Sequence, residues 1–582
     1  MSKFYGNLRI NLFIVFVALF SGLILYRLFI LSVVRHSIYY QTAQAQNENI
    51  SNVLARGNIY LTDKNSDLIL AATNKKFPLV YVIPADINKS DQSKIAETVA
   101  GALNISPAEV TEKIDSNSKS LKVAARRVSN EQVEAIKNLK IKGVGVSYEM
   151  DRYYPGESLA ANAIGFLGYD AQGRRAGQYG IEGYYDNDLF GKEPDVSGLF
   201  TAANPLGLVK TILNFFSKED KDKNIPESFD RPADIILTID KNVQNFVEDE
   251  LKNILEKWKA EKGIVIVQEP GSGKILAMAG WPNFNPNLYG DSKAHSFLNG
   301  SIQEIYEPGS SFKPVTMAAG LDLSKITPQT SYEDKGFVNI AGYTIHNFSE
   351  RIFGKQTMTQ VLENSVNTGT MFVENLVGDD NFLNYVINMG FGQKTGIDLP
   401  GEVNGDVTNL YSGRKINFLT ASFGQGIAVT PLQLINAYST IANGGKLMKP
   451  YIVDKIIKEG GQQIVSHPEI VSIPISEKTA VKLQTMLVSV VDNGFDKARI
   501  RGYDVAGKTG TAQIPDGSGG YSKEEFIHNF VGFAPAYNSK FVVLIKMDKP
   551  KGIAFAADSL SPTFKEIASF LLNYYNVPPS RK

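Results

Sequence analysis

The feature that most constrains this chain lies near its start. From Ile10 to Val34 it reads INLFIVFVALFSGLILYRLFILSVV, with Arg27 as the one charge. At ~1.5 Å per residue, the stretch between Arg9 and Arg27 covers about 27 Å, close to the ~30 Å hydrocarbon core of a bilayer. Arg27 then reaches the far interface by snorkelling. A cleaved signal peptide is the competing reading, and Ala43-Gln44-Ala45 has the look of a cleavage site. Arg35 and His36 intervene, however, and the run exceeds an ordinary signal core. The expectation is a transmembrane anchor over 10–34, after a short tail at 1–9, with all folded mass on its C-terminal side. Lys3 and Arg9 face Arg27 and Arg35 across the span, so charge does not decide the orientation.

The remainder is long enough for at least two domains, and its 43% hydrophobic content supplies their cores. Lys+Arg and Asp+Glu are both 60, so no basic excess points to nucleic acid. Cysteine is absent, which removes disulfides and thiolate nucleophiles together. The five histidines show no metal-ligand spacing, and no metal or cofactor is expected. Residues 35–230 mix β-branched runs (LVYVIPA, VGVSYEM) with helical stretches such as SNEQVEAIKNL, an extended α+β region. Within it, 199–230 is an insert: an amphipathic PLGLVKTILNFF, then KEDKDKNIPESFDRP, dense in charge and proline. From Ala233 the order changes to a strand (ADIILTID), a long amphipathic helix (KNVQNFVEDELKNILEKWKAEK) and a hairpin (GIVIVQEPGSGKILAMAG). A strand pair (NFVGFAPAYNSKFVVLIKM) and a helix (SPTFKEIASFLLNYY) close the chain. One α+β domain over 231–582 is the simplest reading.

The chemistry concentrates in YEPGSSFKP, Tyr306–Pro314. Residues three apart share a helix face and residues two apart do not, so Ser310 rather than Ser311 is paired with Lys313. Pro314 is tolerated only in a first helical turn and Pro308-Gly309 breaks the chain before it, which puts Ser310 at or just before a helix N-terminus. Unpaired N–H groups there favour an alkoxide or an oxyanion, and a desolvated lysine can act as base at neutral pH. S-x-x-K alone is weak: Ser116–Lys119 and Ser412–Lys415 share the spelling, and a random chain would carry about two. Only Ser310 has a breaker before it and an apolar run after it. Two further motifs strengthen it. Ser365-Val366-Asn367 offers a proton relay and an amide. Lys508-Thr509-Gly510, in an extended Gly/Thr-rich stretch, offers a fixed positive charge and room for a ligand beside the backbone. A second Lys-Thr-Gly, Lys394–Gly396, precedes Asp398 and a Pro-Gly turn and reads as a loop.

In chain order, S-x-x-K, S-x-N and K-T-G are the set found in penicillin-binding proteins and class A β-lactamases. The chain resembles a class B penicillin-binding protein, a monofunctional peptidoglycan D,D-transpeptidase, over nearly its whole length. ARGNIYLTDKN, RYYPGESLAANAIGFLGYD and GQYGIEGYYDNDLFG are similar to the N-terminal pedestal motifs. YEPGSSFKP, ENSVNTG, TGIDLPGE, ASFGQGIAVTPLQ and AGKTGTAQ are similar to the catalytic ones, and GGYSKEEFIHNFVGFAPA resembles the FtsI-type division branch. The resemblance implies an α+β fold: a transmembrane helix, a pedestal (dimerisation-type) domain over 35–230, and a transpeptidase domain over 231–582 with an antiparallel sheet flanked by helices plus an all-helical part. It implies that Ser310 is acylated, Lys313 is its base, Ser365 shuttles a proton to the leaving amine and Asn367 holds the substrate amide. Lys508, Thr509, Gly510 and Thr511 would address the terminal carboxylate of a D-Ala-D-Ala stem peptide, and the backbone N–H groups of Ser310 and Thr511 would form the oxyanion hole. The implied partners are stem peptides as donor and amine acceptor, β-lactams as inhibitors, the membrane through 10–34, and a polytopic glycan polymerase with division proteins. The implied location is the cell membrane, N-terminus cytoplasmic and catalytic domain outside.

The sequence departs from the family at Ser311, where threonine is usual, at Asn299-Gly300 for Asn-Arg, and at Asp63-Lys64-Asn65-Ser66, which lacks a turn glycine. The insert 199–230 maps onto no family element. A D,D-carboxypeptidase would use the same triplet with water as acceptor, as would a β-lactamase, which is ordinarily small and soluble. A non-catalytic wall-binding or β-lactam-sensing receptor would be expected to carry further spans and an effector. A bifunctional polymerase would need glycosyltransferase motifs, which 35–230 does not show.

Overall fold

In this computed structural model the described residues are 56–114, 121–190, 232–340, 342–515 and 520–581, with isolated helical positions at Phe13, Val17 and Ser21. Apart from those three positions, the expected anchor over 10–34 lies outside the described residues. So do the insert 199–230, the junction at 230/231 and the decoy Ser116–Lys119. Among the described residues no helix is long and apolar enough to cross a membrane. By spatial contacts the chain divides into a smaller unit containing Asn74–Asp151 and a larger one, Arg56–Thr73 with Arg152 onward.

In the larger unit, Asp240 caps a helix by accepting from the N–H groups of Asn242 (2.9 Å) and Val243 (3.2 Å). The helix, α1, spans Lys241–Trp258 and buries Val243, Val247, Leu251, Ile254 and Leu255 at three- and four-residue spacing. Five strands follow: β1 (Lys262–Gln268), β2 (Ile275–Trp281), β3 (Ala506–Pro515), β4 (Tyr521–Ala534) and β5 (Phe541–Asp548). They form an antiparallel sheet in the order β3-β4-β5-β1-β2. Both faces of its centre are covered, so β1 and β5 carry consecutive apolar runs (Ile264–Val267 and Phe541–Ile545) rather than alternate ones. Val265, Val267, Val543 and Ile545 pack toward α1 and the C-terminal helix α6 (Ser561–Tyr574). Ile264, Ile266, Val542 and Leu544 pack into the other core with the helical part.

That part is built from α2 (Lys313–Asp322), α3 (Asn367–Val377), α4 (Pro431–Ala442) and α5 (Glu477–Ser489). All twelve residues of α4 are buried, and a capping box of Thr430 and Gln433 satisfies its first turn from within. A second sheet ties distant segments together: Ile59–Thr62 runs parallel to Asp234–Asp240, and Val453–Ile457 pairs antiparallel to that same strand. Beneath it lies a buried ionic cluster in which Glu182 receives Arg56 and Arg152, each at 2.6 Å. ARGN, RYYPG and GIEG each supply one member.

The smaller unit places the helices Gln92–Leu103, Pro107–Ile114 and Asn130–Leu139 around a core of Val80, Val82, Val99, Val110 and Ile136. The expected helix in SNEQVEAIKNL begins at a capping box of Ser129 and Gln132.

Candidate active site

Ser310 does not open the α-helix directly. A 3-10 turn, Gly309–Phe312, carries it, and the Lys313 N–H donates to the Ser310 carbonyl as α2 begins, with Pro314 in the first turn. The two adjacent serines are thereby separated. Ser311 is buried and its Oγ donates to the Pro308 carbonyl at 2.8 Å, whereas Ser310 lines a cleft of about 400 Å³. Ser365, Asn367, Lys508, Thr509 and Thr511 line the same cleft.

Lys313 is 0% exposed and Lys508 1% exposed. The Lys313 amine donates to Asn367 Oδ1 at 2.8 Å, to Ser365 Oγ at 3.2 Å and to the Ser365 carbonyl. Lys508 Nζ reaches Ser365 Oγ at 3.0 Å and the Thr509 carbonyl at 3.2 Å. Ser365 Oγ thus bridges two lysine amines, from a residue at φ +54°, a left-handed conformation that a non-glycine adopts at some cost. Burial drives the Lys313 amine well below its ordinary range, and the nearby Lys508 charge lowers it further. Burial alone lowers Lys508 to about 7. A neutral Lys313 has two N–H groups and one lone pair. Asn367 Oδ1 and the Ser365 carbonyl can only accept, so they take the two N–H groups and leave the lone pair for a hydroxyl. Helical spacing predicts a Ser310–Lys313 pair; here the amine hydrogen-bonds Ser365 and Asn367, while Ser310 opens to the cleft one turn away.

The turn that carries Ser310 is held by the loop at Gly424 and by β4, and lies against β3 at Gly510. Gly309 donates to the Gly424 carbonyl at 3.0 Å, and Asn529 Nδ2 donates to the Pro308 carbonyl at 3.0 Å. A Cβ on Gly510 would stand 2.6 Å from the Pro308 oxygen and as close to the Asn529 amide. The room expected for a ligand beside Gly510 is therefore occupied by the protein, and Gly510 serves the approach of the serine turn to the strand. β3 is the sheet's edge strand, so alternate backbone N–H groups lack a strand partner. Thr511 lies on it, with its Oγ1 accepting from Ala556 N–H at 3.1 Å.

The decoys are tied up elsewhere. Lys415 pairs with Glu374 (2.7 Å) and Asp379 (2.6 Å). In the first Lys-Thr-Gly, the Thr395 and Gly396 N–H groups are held by Glu402 at 2.7 and 3.1 Å. Sequence reasoning missed the cleft rim, residues 347–353, which brings Asn347, Phe348, Arg351 and Phe353 to the wall, with Phe348 edge-on to Phe555 at 5.5 Å. Its only local signal is turn-forming Asn347, which does not say where the turn is anchored.

The comparisons with known proteins agree with this geometry. The family described as the penicillin binding protein transpeptidase domain matches residues 263–569, and the penicillin-binding protein dimerisation domain matches 52–197. Stage V sporulation protein D of Bacillus subtilis is 34% identical, over 90% of this chain and 79% of that protein. The peptidoglycan D,D-transpeptidase FtsI homolog of Mesostigma viride is 27% identical, over 99% of this chain and 98% of its own length. Penicillin-binding protein 3 of Mycobacterium tuberculosis superposes with a TM-score of 0.64 at 28% identity, over 74% of this chain and 92% of that one.

Proposed function

This chain belongs to the class B penicillin-binding proteins, as a serine-type peptidoglycan D,D-transpeptidase of cell-wall synthesis, and from that premise we propose the roles of its residues. Ser310 Oγ attacks the carbonyl carbon between the two D-alanines of a donor stem peptide and passes its proton to Lys313. The carbon–nitrogen bond then breaks, and the departing D-alanine takes a proton from Lys313 by way of Ser365. An amine from a neighbouring stem peptide attacks the ester carbonyl, the bond to Ser310 Oγ breaks, and the proton lost by the amine returns through the relay to Ser310 Oγ, leaving a cross-link and the free serine. Asn367 holds both the lysine amine and the donor amide. Lys508, with Thr509 and Thr511, receives the terminal carboxylate, and the N–H groups of Ser310 and Thr511 stabilise the oxyanion.

The observation that carries this reading is the pair of buried lysine amines meeting at Ser365 Oγ, 3.2 and 3.0 Å away. Two charges so close cannot both persist at low dielectric, so one amine serves as neutral base while the other keeps its proton for a carboxylate. β-Lactams, which carry a reactive amide and a carboxylate, fit the same groups. The Mycobacterium tuberculosis relative has been solved with aztreonam and with ampicillin. The FtsI-type branch, an anchor over 10–34, a pedestal over 35–230, a transpeptidase domain over 231–582 and an extracytoplasmic catalytic domain complete the proposal, with a polytopic glycan polymerase as partner.

The test is labelling with a fluorescent penicillin followed by mass mapping. The label is expected on Ser310 and is lost in Ser310→Ala; a label on Ser311 overturns the assignment. Replacing residues 1–35 with a cleaved secretion signal is expected to release the protein from membranes in active form.

A further inference from the structure

The rim of the cleft and the N-terminal turn of α3 are joined by one carboxylate. Asp334 ends the short strand Ser331–Asp334, is 2% exposed, and takes no part in the proposed chemistry. Its two oxygens accept from Gly336 N–H (3.0 Å), Phe353 N–H (2.7 Å), Asn347 Nδ2 (3.0 Å) and Thr368 Oγ1 (2.5 Å). Two of these partners, Asn347 and Phe353, line the cleft. Phe353 closes the rim loop and Asn347 opens it, its Nδ2 also holding the Arg351 carbonyl at 3.0 Å. Thr368 follows Asn367 directly, and its N–H donates to Asn347 Oδ1 at 3.1 Å. Asn367 Nδ2 donates in turn to the His346 carbonyl at 3.3 Å, next to Asn347 in the chain. The connection thus runs by hydrogen bond from Asp334 to Thr368 and by the peptide bond from Thr368 to Asn367, whose Oδ1 accepts from the Lys313 amine at 2.8 Å.

An unpaired buried carboxylate is costly, so Asp334 is held where its donors converge. We propose that Asp334 is a positioning residue of the acyl transfer: through Thr368 and Asn347 it holds Asn367 against the Lys313 amine and fixes the rim loop that carries Phe348 and Arg351 at the cleft mouth. The proposal rests on the reading of Ser310 and Lys313 given above. Asp334→Asn keeps the shape but turns an N–H₂ toward a ring of donors, which forces at least one to move. Thr368→Val deletes one donor, and Thr368→Ser retains it.

The experiment measures the second-order rate of Ser310 acylation by a fluorescent penicillin in the full chain, with thermal melting of each variant alongside. Asp334→Asn and Thr368→Val are each expected to slow acylation about tenfold or more, since small misplacements at a reacting centre carry such costs, and Thr368→Ser to stay within about twofold of the parent. In an Asn367→Ala background Asp334→Asn should add less than about twofold, because both changes remove one shared contact to Lys313. Full additivity, or Thr368→Val acylating at the parent rate, overturns the proposal. If Asp334→Asn fails to fold, the Thr368 pair decides alone. Absence of label on Ser310 in the parent would instead sink the functional reading itself.

Discussion

At the residue scale the site is governed by two lysines with no carboxylate among their hydrogen-bond partners. Burial and the Lys508 charge favour the neutral form of Lys313, whereas burial lowers Lys508 to about 7. A ligand carboxylate favours protonated Lys508, so binding is linked to proton uptake once the pH exceeds that value. The dissociation constant of a carboxylate-bearing β-lactam is therefore expected to rise about tenfold per pH unit above about 7, while acylation at saturation stays flat; stopped-flow acylation across pH checks this. The same depression has the opposite sign for stability. The unfolded chain keeps the Lys508 proton to its ordinary value near 10.5, so Lys508 contributes a stability that rises with pH from about 7 toward that value. Ser311 provides the contrast. Its hydroxyl donates to a Pro308 carbonyl that also receives Asn529, so Ser311→Ala leaves no acceptor empty. It should cost about 1 kcal/mol by urea denaturation and leave Ser310 labelling intact. Helical spacing set Ser310 apart from Ser311, and the structure places Ser310 at the cleft and Ser311 in the core, although the Lys313 amine meets Ser365 and Asn367. The shared contact of both lysines with Ser365 was not legible, because nothing in S-x-N spacing announces a left-handed serine.

At the element scale, the approach of β3 to the nucleophile turn decides the geometry. A methyl on Gly510 meets the Pro308 backbone oxygen at 2.6 Å, so Gly510→Ala must push turn and strand apart. A shift of about 1 Å at a reacting centre can cost on the order of 100-fold, so acylation should fall by that order while circular dichroism stays unchanged. α1, the β1–β2 hairpin and α6 were readable from periodicity and turn residues, because each is a local pattern with its own caps. The cleft rim was not. The short strands that flank it (Ser331–Asp334 with Gly354–Thr357, Phe337–Ile340 with Tyr343–His346) carry no apolar alternation long enough to register, and a buried aspartate ties the rim to them.

At the scale of the whole molecule, Arg56, Arg152 and Glu182 hold three sequence-distant segments of the larger unit together. Burial pushes the Glu182 carboxyl up, but the two guanidiniums outweigh it and hold it below its usual value. Its stabilisation is present above the ordinary carboxylate range and is lost as pH falls through the depressed value. Glu182→Ala removes the carboxylate that two buried guanidiniums share, while Arg56 keeps Asp186 at 2.7 Å, and should cost about 3–5 kcal/mol, read from urea midpoints at neutral pH. The sequence displayed these residues inside the pedestal motifs without showing that they meet. Pairings such as Ile59 with Ile235, or Ile456 with that same residue, bridge separations no local pattern encodes.

The Pro308 carbonyl accepts from Ser311 and Asn529, and Gly510 packs so near it that even a Cβ would not fit, which leaves the turn bearing Ser310 little freedom to adapt. Selectivity among inhibitors therefore has to be found at the mouth rather than at the warhead. A compound designed for this protein would keep its electrophile generic and direct its distinguishing groups toward Phe348, Arg351 and Phe555, where side chains meet the ligand before chemistry begins.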